Sequence, residues 1–379
     1  MSEIKVNSIK GVAASTAALT INNTDGTCTA NITNNLSNRN LIINGAMEVA
    51  QRGDKTGATD HYGGCDRFKF LRNGSTEVTL SQDSGISEQG FSKAQRINVT
   101  TADATMDSAN YNILTQRIEG QDLQRVKKGT ANAQELTMSF WIKSTITGTY
   151  ILELTDNDNS RHCCKAYTVS SSNTWEKKEI TFPADTTGEF SFTTNLSMEV
   201  NWWFGAGSTY AGGTLQTTWG AQTNANRAVG GVNAVNSTSN NIYLTGVQLE
   251  VGSVATDFEH RSFAQELLLC QRYCQKLGES EGTYDAMGNG AAFSSTVSFI
   301  PYSLKVAMRS TPSFTLLGSE SDFKYTRSTG EHTPDSITFD QGGNNMCALR
   351  LQGSSKTVDA AVRLYNTNTT GGYLFTAEL

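Results

Sequence analysis

Residues 136–142 read Leu136-Thr137-Met138-Ser139-Phe140-Trp141-Ile142, with Leu136, Met138, Phe140 and Ile142 at every second position. A period of two cannot give a helix one apolar stripe. It gives a strand one apolar side, to be laid against a core. Short β-type runs recur at 76–80, 150–154, 165–169, 178–182, 189–192 and 241–249. Leu41-Ile42-Ile43 is a compact apolar run that ends at the turn pair Asn44-Gly45. The runs 150–154 and 165–169 flank Asp156-Asn157-Asp158-Asn159-Ser160, which predicts a hairpin. Many short strands separated by polar turns predict a mainly β fold, a sandwich or jelly roll. Disorder is the competing reading of 37% hydrophobic residues, but it would bring more net charge than −6 and fewer aromatics than 9%.

The chain divides by texture into four parts. Residues 1–39 carry sparse aliphatic side chains and no aromatic, and they cannot bury enough surface to fold alone. They are expected to be an extended attachment arm, ordered by pairing with other chains. Residues 40–261 are the expected sandwich, with 205–240 as a long loop over it. A helix is expected at about 262–276, within a linking segment 262–278. Ser262 and Gln265 make a capping box, and Leu277-Gly278 closes the segment. Phe263, Leu267, Cys270 and Cys274 fall on a heptad seam, with Leu268, Leu269 and Tyr273 as a second apolar flank. Strands at 293–300, 313–317, 336–339, 348–351, 360–365 and 373–377 then predict a second, smaller sandwich over 279–379. Three of the four prolines, Pro301, Pro312 and Pro334, fall there.

Several function classes find no support. The net charge gives no footprint for nucleic acid. Its longest basic run, Arg125-Val126-Lys127-Lys128, reads as a solvated turn. There is no apolar stretch long enough to cross a membrane and no apolar signal core at the N-terminus, so synthesis in a cytosol is expected. Seven cysteines include the neighbours Cys163 and Cys164 and the pair Cys270 and Cys274, spacings that strain an intrachain bridge; reduced thiols are expected.

Gly278-Glu279-Ser280-Glu281-Gly282 matches the serine-hydrolase string, but a helix precedes it and none follows, the reverse of a nucleophile elbow. His162-Cys163-Cys164, with His61 and Cys65, lacks the spaced pairs of a zinc site, because neighbours on a strand face opposite ways. The Asp156 turn lacks the glycine and the closing acid of a calcium loop, with Arg161 and Tyr167 in their places. If the sandwich holds a calcium ion, Glu48 and Glu250 are the candidates to bind it; no other cofactor is expected. The densest aromatic group is Trp202, Trp203, Phe204, Tyr210 and Trp219. Of these, Trp202, Trp203, Tyr210 and Trp219 are the candidates to stack on a sugar ring, whose face is apolar and whose rim is polar.

One resemblance adds to this. Asn40-Leu41-Ile42-Ile43-Asn44-Gly45, continuing to Gln51-Arg52-Gly53 and followed by Asp66-Arg67-Phe68, resembles the opening of tailed-bacteriophage tail fibre proteins. Leu244-Thr245-Gly246-Val247-Gln248-Leu249-Glu250, Glu266-Leu267, Cys270-Gln271-Arg272-Tyr273-Cys274, Met308-Arg309-Ser310-Thr311-Pro312 and Phe375-Thr376-Ala377-Glu378-Leu379 are similar to later parts of the same family. Cys274 departs from its usual tyrosine and Asp257 from a common proline. The front half also resembles carbohydrate-binding jelly rolls, whose first and last strands pair. That would set 41–44 beside 243–249.

The resemblance implies a non-enzymatic homotrimer in the virion tail that contacts a host-surface glycan or protein. Phe263, Leu267, Cys270 and Cys274 would lie at the trimer junction. Docking of residues 1–39 onto other tail proteins is inferred from position and composition. The alternatives are a polysaccharide-degrading tailspike, disfavoured by the lack of a β-helix repeat, and a tail or head connector with no receptor role.

Overall fold

The computed structural model describes residues 37–278, 285–327, 330–354 and 356–379, together with 8–9, 19–21, 24 and 28–30. Its architecture is mainly β, with a jelly-roll-like sandwich followed by a smaller β body. Among the described residues the sandwich has a six-stranded front sheet and a seven-stranded back sheet. The front sheet runs Glu176–Phe182, Leu136–Ser144, Asn241–Val251, Lys93–Thr101, Glu77–Ser84, Lys55–Gly57. The back sheet runs Gly220–Ala221, Arg161–Val169, Gly148–Asp156, Leu196–Ala206, Tyr111–Glu119, Lys69–Asn73, His61–Tyr62. All the recorded pairings within both are antiparallel. The alternating side chains Leu136, Met138, Phe140 and Ile142 are all buried, and they meet Leu152, Leu154, Val200 and Trp202 of the back sheet in one core.

The expected hairpin forms, with Gly148–Asp156 paired to Arg161–Val169. Two expected strands do not form. Leu41-Ile42-Ile43 is a bend rather than a strand. The first segment still lies beside the last strand, through Leu41 N–H to Leu249 O at 2.8 Å and Val247 N–H to Gly45 O at 2.9 Å. The buried amides of Asn40 and Asn44 supply the other bonds. Asn40 Oδ1 accepts from Ile42 and Leu249, and Asn44 spans Val49 and Asp66. Residues 189–192 also lie outside any strand, although Phe190 is buried. Lys128 is buried as well and departs from the solvated turn expected of its basic run, although Arg125 and Lys127 are exposed as expected. The Lys128 ammonium contacts Asp156 at 2.5 Å and Asp185 at 3.1 Å and lies over the rings of Phe190 and Trp219. Cys65, Cys163, Cys164, Cys270, Cys274 and Cys347 are free and buried.

The described part of the N-terminal arm forms a short antiparallel ladder of Ser8–Ile9, Leu19–Ile21 and Cys28–Ala30. Pairing within the chain thus supplies backbone partners that were expected from other chains. Apart from residues 24 and 37–39, the rest of the arm lies outside the described residues, as does the string 279–282.

The linking helix is shorter than expected. It spans Phe263–Gln271, and its Ser262–Gln265 capping box forms as read from the sequence. Arg272 ends it, and Cys274 belongs instead to a strand, Cys274–Gly278, paired to Gly372–Thr376. Sheet pairing and burial of Tyr273 outcompete one further helical turn. The helix buries Glu266, Cys270 and Gln271 rather than a full heptad seam. Phe263 is 57% exposed, Leu268 51% and Leu269 37%.

The C-terminal body has a three-stranded sheet, Cys274–Gly278, Gly372–Thr376 and Ser313–Leu317, and a seven-stranded one. The larger sheet runs Gly330–His332, Phe323–Arg327, Ala361–Asn366, Ala286–Ala292, Val297–Ser303, Met346–Gln352, Ser336–Gly342. The run 293–300 is therefore not one strand: residues 293–296 are the turn of a hairpin. Both sheets contribute to a separate core around Tyr373, Phe375, Phe323 and Leu349.

The motif residues scattered along the sequence converge where the two bodies meet. The Glu378 carboxylate pairs with Arg52 and Arg67. The Arg67 guanidinium, 1% exposed, lies 3.4 Å from the centre of the Tyr273 ring. Tyr273 donates to Glu119, which also receives two bonds of 2.7 Å from Arg272. Gln51 donates to Asp66 and to the Cys274 carbonyl. Arg309 donates to the carbonyls of Ala377 and Glu378, and Arg117 to that of Leu379. The sandwich and the C-terminal body are thus joined by charge-assisted bonds shielded from water.

Candidate functional site: a groove on the back sheet

The outer face of the back sheet carries a small groove whose residues come from register. Opposite Arg117 on the neighbouring strand stands Glu199, opposite Thr115 stands Asn201, and opposite Ile113 stands Trp203. One strand further on, Glu153 lies opposite Asn201, and Cys164 opposite Glu153. The loop after Ala206 folds over this face and brings two more side chains. Tyr210 packs 5.6 Å from Trp203 and edge-on to Tyr111 at 5.4 Å. Arg227 reaches down to Glu153 with bonds of 2.8 and 2.9 Å, its guanidinium 5.0 Å from the centre of the Trp203 ring. The loop is tied to itself because the Tyr210 carbonyl accepts from the backbone of Arg227 and Ala228.

The opening left beside the loop has a volume of ≈ 170 Å³. Leu71, Ile113, Tyr111 and Tyr210 give it apolar surface, and Arg117, Glu199, Asn201 and Arg227 give it polar groups. Asn201 Oδ1 and Thr115 Oγ1 are buried on neighbouring strands with no hydrogen-bond partner. Unsatisfied buried polar atoms are costly, and a ligand hydroxyl or amide can satisfy them.

The acids of this face are already engaged. Burial pushes the Glu153 carboxyl up, but the Arg227 charge and the bonds from His162 and Arg227 outweigh it and hold the pKa at about 2. Trp203 Nε1–H also donates to Glu153 at 2.9 Å. Glu199 is held by Arg117 at 2.8 Å. Both carboxylates are thus spent on arginine partners.

Glu153, His162 and Cys164 offer ligand atoms within 4.8 Å of one another, a group of metal-ligating type among the described residues. The Arg227 guanidinium holds both Glu153 oxygens, and His162 Nε2 accepts from Thr223 N–H at 3.4 Å. The arrangement fits a hydrogen-bonded post for the loop better than a cation site. Cys163 faces the core side of the strand, as neighbours on a strand must. His61 bonds Thr59 O through Nδ1 while its buried Nε2 has no partner, and Cys65 bonds the Met47 carbonyl.

The expected sugar-stacking residues separate. Trp202 is wholly inside the sandwich, and Trp203 is buried under the loop, so neither offers a face to a ligand. The cause is alternation on a sheet covered on both sides. Trp219 lies over Lys128 and donates to the Pro183 carbonyl, with no part in the groove. Tyr210 alone of the four lines the groove. Glu250 spends its carboxylate on Thr256 and Gln248 and lies 3.7 Å from Arg39, while Glu48 accepts from Ser92. These two acids form no cation cluster among the described residues.

Tyr111, Arg117, Glu199, Asn201 and Arg227 were not singled out by sequence. Their strands are covered on both faces, so Tyr111-Asn112-Ile113-Leu114-Thr115-Gln116-Arg117 shows no clean alternation to mark it.

No protein family and no curated protein matches the chain. Among solved structures, the enzymatically active domain of tailspike protein 4 from bacteriophage CBA120 is similar at 13% identity and a TM-score of 0.30, over 56% of this chain and 21% of that one. The family 11 carbohydrate-binding module of the Clostridium thermocellum cellulase Lic26A-Cel5E is similar at 12% identity and 0.27, over 54% and 97%. A putative sugar binding protein from Bacteroides thetaiotaomicron is similar at 11% identity and 0.30, over 56% and 99%. The chain spans about a fifth of the tailspike chain. At such scores, what the groove does must follow from its own residues.

Proposed function

We propose that the chain is a tail fibre component that recognises a glycan on a host surface without cleaving it. The groove carries this reading. Two tyrosine rings and two aliphatic side chains suit the apolar face of a sugar, and the buried Asn201 oxygen, which lacks a partner, lies at the groove to accept from its hydroxyl rim. The pairing of Glu153 and Glu199 with arginines supports binding over hydrolysis. The tail assignment rests on the resemblance of the motifs at 40–53, 66–68 and 244–274, with residues 1–39 as the arm that meets other tail proteins. Self-association as a homotrimer is supported by Phe263, Leu268 and Leu269, exposed on one short helix. Single sugar contacts are weak, and three copies would supply avidity.

The test is a glycan array probed with the purified protein and with Tyr210→Ala. The expected result is binding to a restricted glycan set, weakened at least about tenfold by the substitution, which corresponds to ~1.4 kcal/mol. New reducing ends after incubation with host polysaccharide would replace the binding reading by a depolymerase. Full adsorption of phage bearing Tyr210→Ala would move recognition away from the groove.

A further inference from the structure

We propose a second saccharide site on the opposite face of the sandwich, built around Trp141 and independent of the groove. The outer side of the front sheet is otherwise polar near this point. Ser139 and Lys143 flank Trp141 along its strand, and Thr245 and Lys177 stand opposite it. Trp141 nevertheless stays partly exposed there.

The local backbone is shaped for this. The pairing between Leu136–Ser144 and Asn241–Val251 shifts register between Ser139 and Trp141. Gly246 lies within that irregularity at φ 60°, a left-handed conformation that favours glycine. A Cβ on Gly246 would lie 2.7 Å from the Phe91 ring and 3.0 Å from Trp141 Cδ1. The glycine therefore lets the two rings close over the sheet. Phe91 is 3% exposed and packs edge-on to Phe258 at 4.9 Å and against the His260 ring at 5.4 Å, both beside it at the cavity. Phe91, Phe258 and His260 pack on one another as a single aromatic wall.

Between Trp141 and this wall lies a cavity of ≈ 300 Å³, at the lower end of the ~300–1,000 Å³ typical of small-molecule sites. Its rim carries the Ser139 hydroxyl, the Asp257 carboxylate, the Lys177 ammonium and the Gln89 amide. A partly exposed indole beside packed aromatics, ringed by donors and acceptors of both signs, matches the chemistry of a hexopyranose. The apolar ring face would meet Trp141, and the equatorial hydroxyls would meet the rim. A flat aromatic ligand would leave that rim unpaired, and because Lys177 is already paired to Glu179 at 2.8 Å, an anionic one would face the Asp257 carboxylate.

The test uses the full chain labelled with 5-fluorotryptophan. The Trp141 resonance is assigned with Trp141→Phe, and the protein is titrated with cellobiose, maltose, lactose and chitobiose in turn. At least one disaccharide is expected to move the Trp141 resonance saturably. Asp257→Ala, an exposed change, is expected to weaken that response about two- to tenfold, the range of one hydrogen bond. Tyr210→Ala is expected to leave it unchanged. A Trp141 resonance unmoved by all four sugars overturns the proposal, as does a response that grows without saturating. Loss of the response in Tyr210→Ala would assign it to the groove. A groove that fails on the array while Trp141 still titrates would refute the groove alone.

Discussion

Glu119→Ala should uncouple the sandwich from the C-terminal body. Glu119 is wholly buried at the end of Tyr111–Glu119, and its carboxylate accepts from Arg272 twice at 2.7 Å, from Tyr273 at 2.5 Å and from Gln121 at 2.9 Å. The Arg272 side chain is 28% exposed and can recover some hydration, whereas Tyr273 is wholly buried and cannot. Removing one partner of such a buried pair costs ~3–5 kcal/mol, the lower end applying because Arg272 is partly open. All five tryptophans (Trp141, Trp175, Trp202, Trp203 and Trp219) lie in the sandwich, so their fluorescence reports that body in a urea titration. With a slope of ~1–3 kcal/mol per molar urea, the tryptophan-detected midpoint should fall by roughly 1 M or more. Asp83→Asn, which breaks the half-exposed pair with Arg96, is the control and should cost no more than ~1 kcal/mol. In a double-mutant cycle with Arg272→Ala, the coupling energy should be roughly 1–3 kcal/mol. A coupling below ~0.5 kcal/mol, or a midpoint no lower than that of Asp83→Asn, would refute the account of the joint.

Acid should loosen the loop over the groove. Glu153 has a folded pKa of about 2 against an ordinary 4.5, so its contribution is fully present above about pH 4.5 and is lost as pH falls toward 2. The shift corresponds to roughly 3 kcal/mol, and Glu153→Gln should flatten the stability profile across that window. Gly246→Ala should destabilise by ~1–3 kcal/mol, because its φ of 60° and the 2.7 Å approach of Phe91 leave no room for a methyl; thermal unfolding measures it. Phe263→Asp combined with Leu268→Asp should leave chain stability within ~0.5 kcal/mol per site, since both side chains are exposed. The same change should lower the mass seen by light scattering; a wild-type monomer at micromolar concentration would refute self-association through this helix.

The parts of the fold legible in sequence are those that local rules dictate. The period of two at 136–142, the hairpin about Asn157–Ser160 and the Ser262–Gln265 cap each rest on a few neighbouring residues, and each forms as read. The failures are where long-range partners override local preference. Leu41-Ile42-Ile43 gives up a ladder because Asn40 and Asn44 offer side-chain amides in its place. Cys274 leaves the helix because Gly372–Thr376 offers it a strand. The groove was illegible for a different reason. Tyr111, Asn201 and Arg227 are brought together by strand order and by a loop return, and nothing in their local sequence distinguishes them.

This separation bears on what the motifs can report. Arg52, Arg67, Glu119, Arg272, Tyr273 and Glu378 meet at a joint where each bond has a fixed donor, acceptor and direction. Except for Glu119, these residues belong to the recognisable strings at 40–53, 66–68, 270–274 and 375–379. Such a joint tolerates little exchange, since even lysine lacks the forked geometry of a buried arginine. The groove and the Trp141 pocket make looser demands: an aromatic face, a few donors and acceptors, and a backbone that leaves space. Many side-chain sets meet those demands. Residues that fix the joint are thus the ones a motif can capture, while those that choose a ligand lie in the unmarked stretches between them. Similarity in the motifs therefore argues for the same joint between two bodies and carries no information about the ligand of the groove or of the Trp141 pocket.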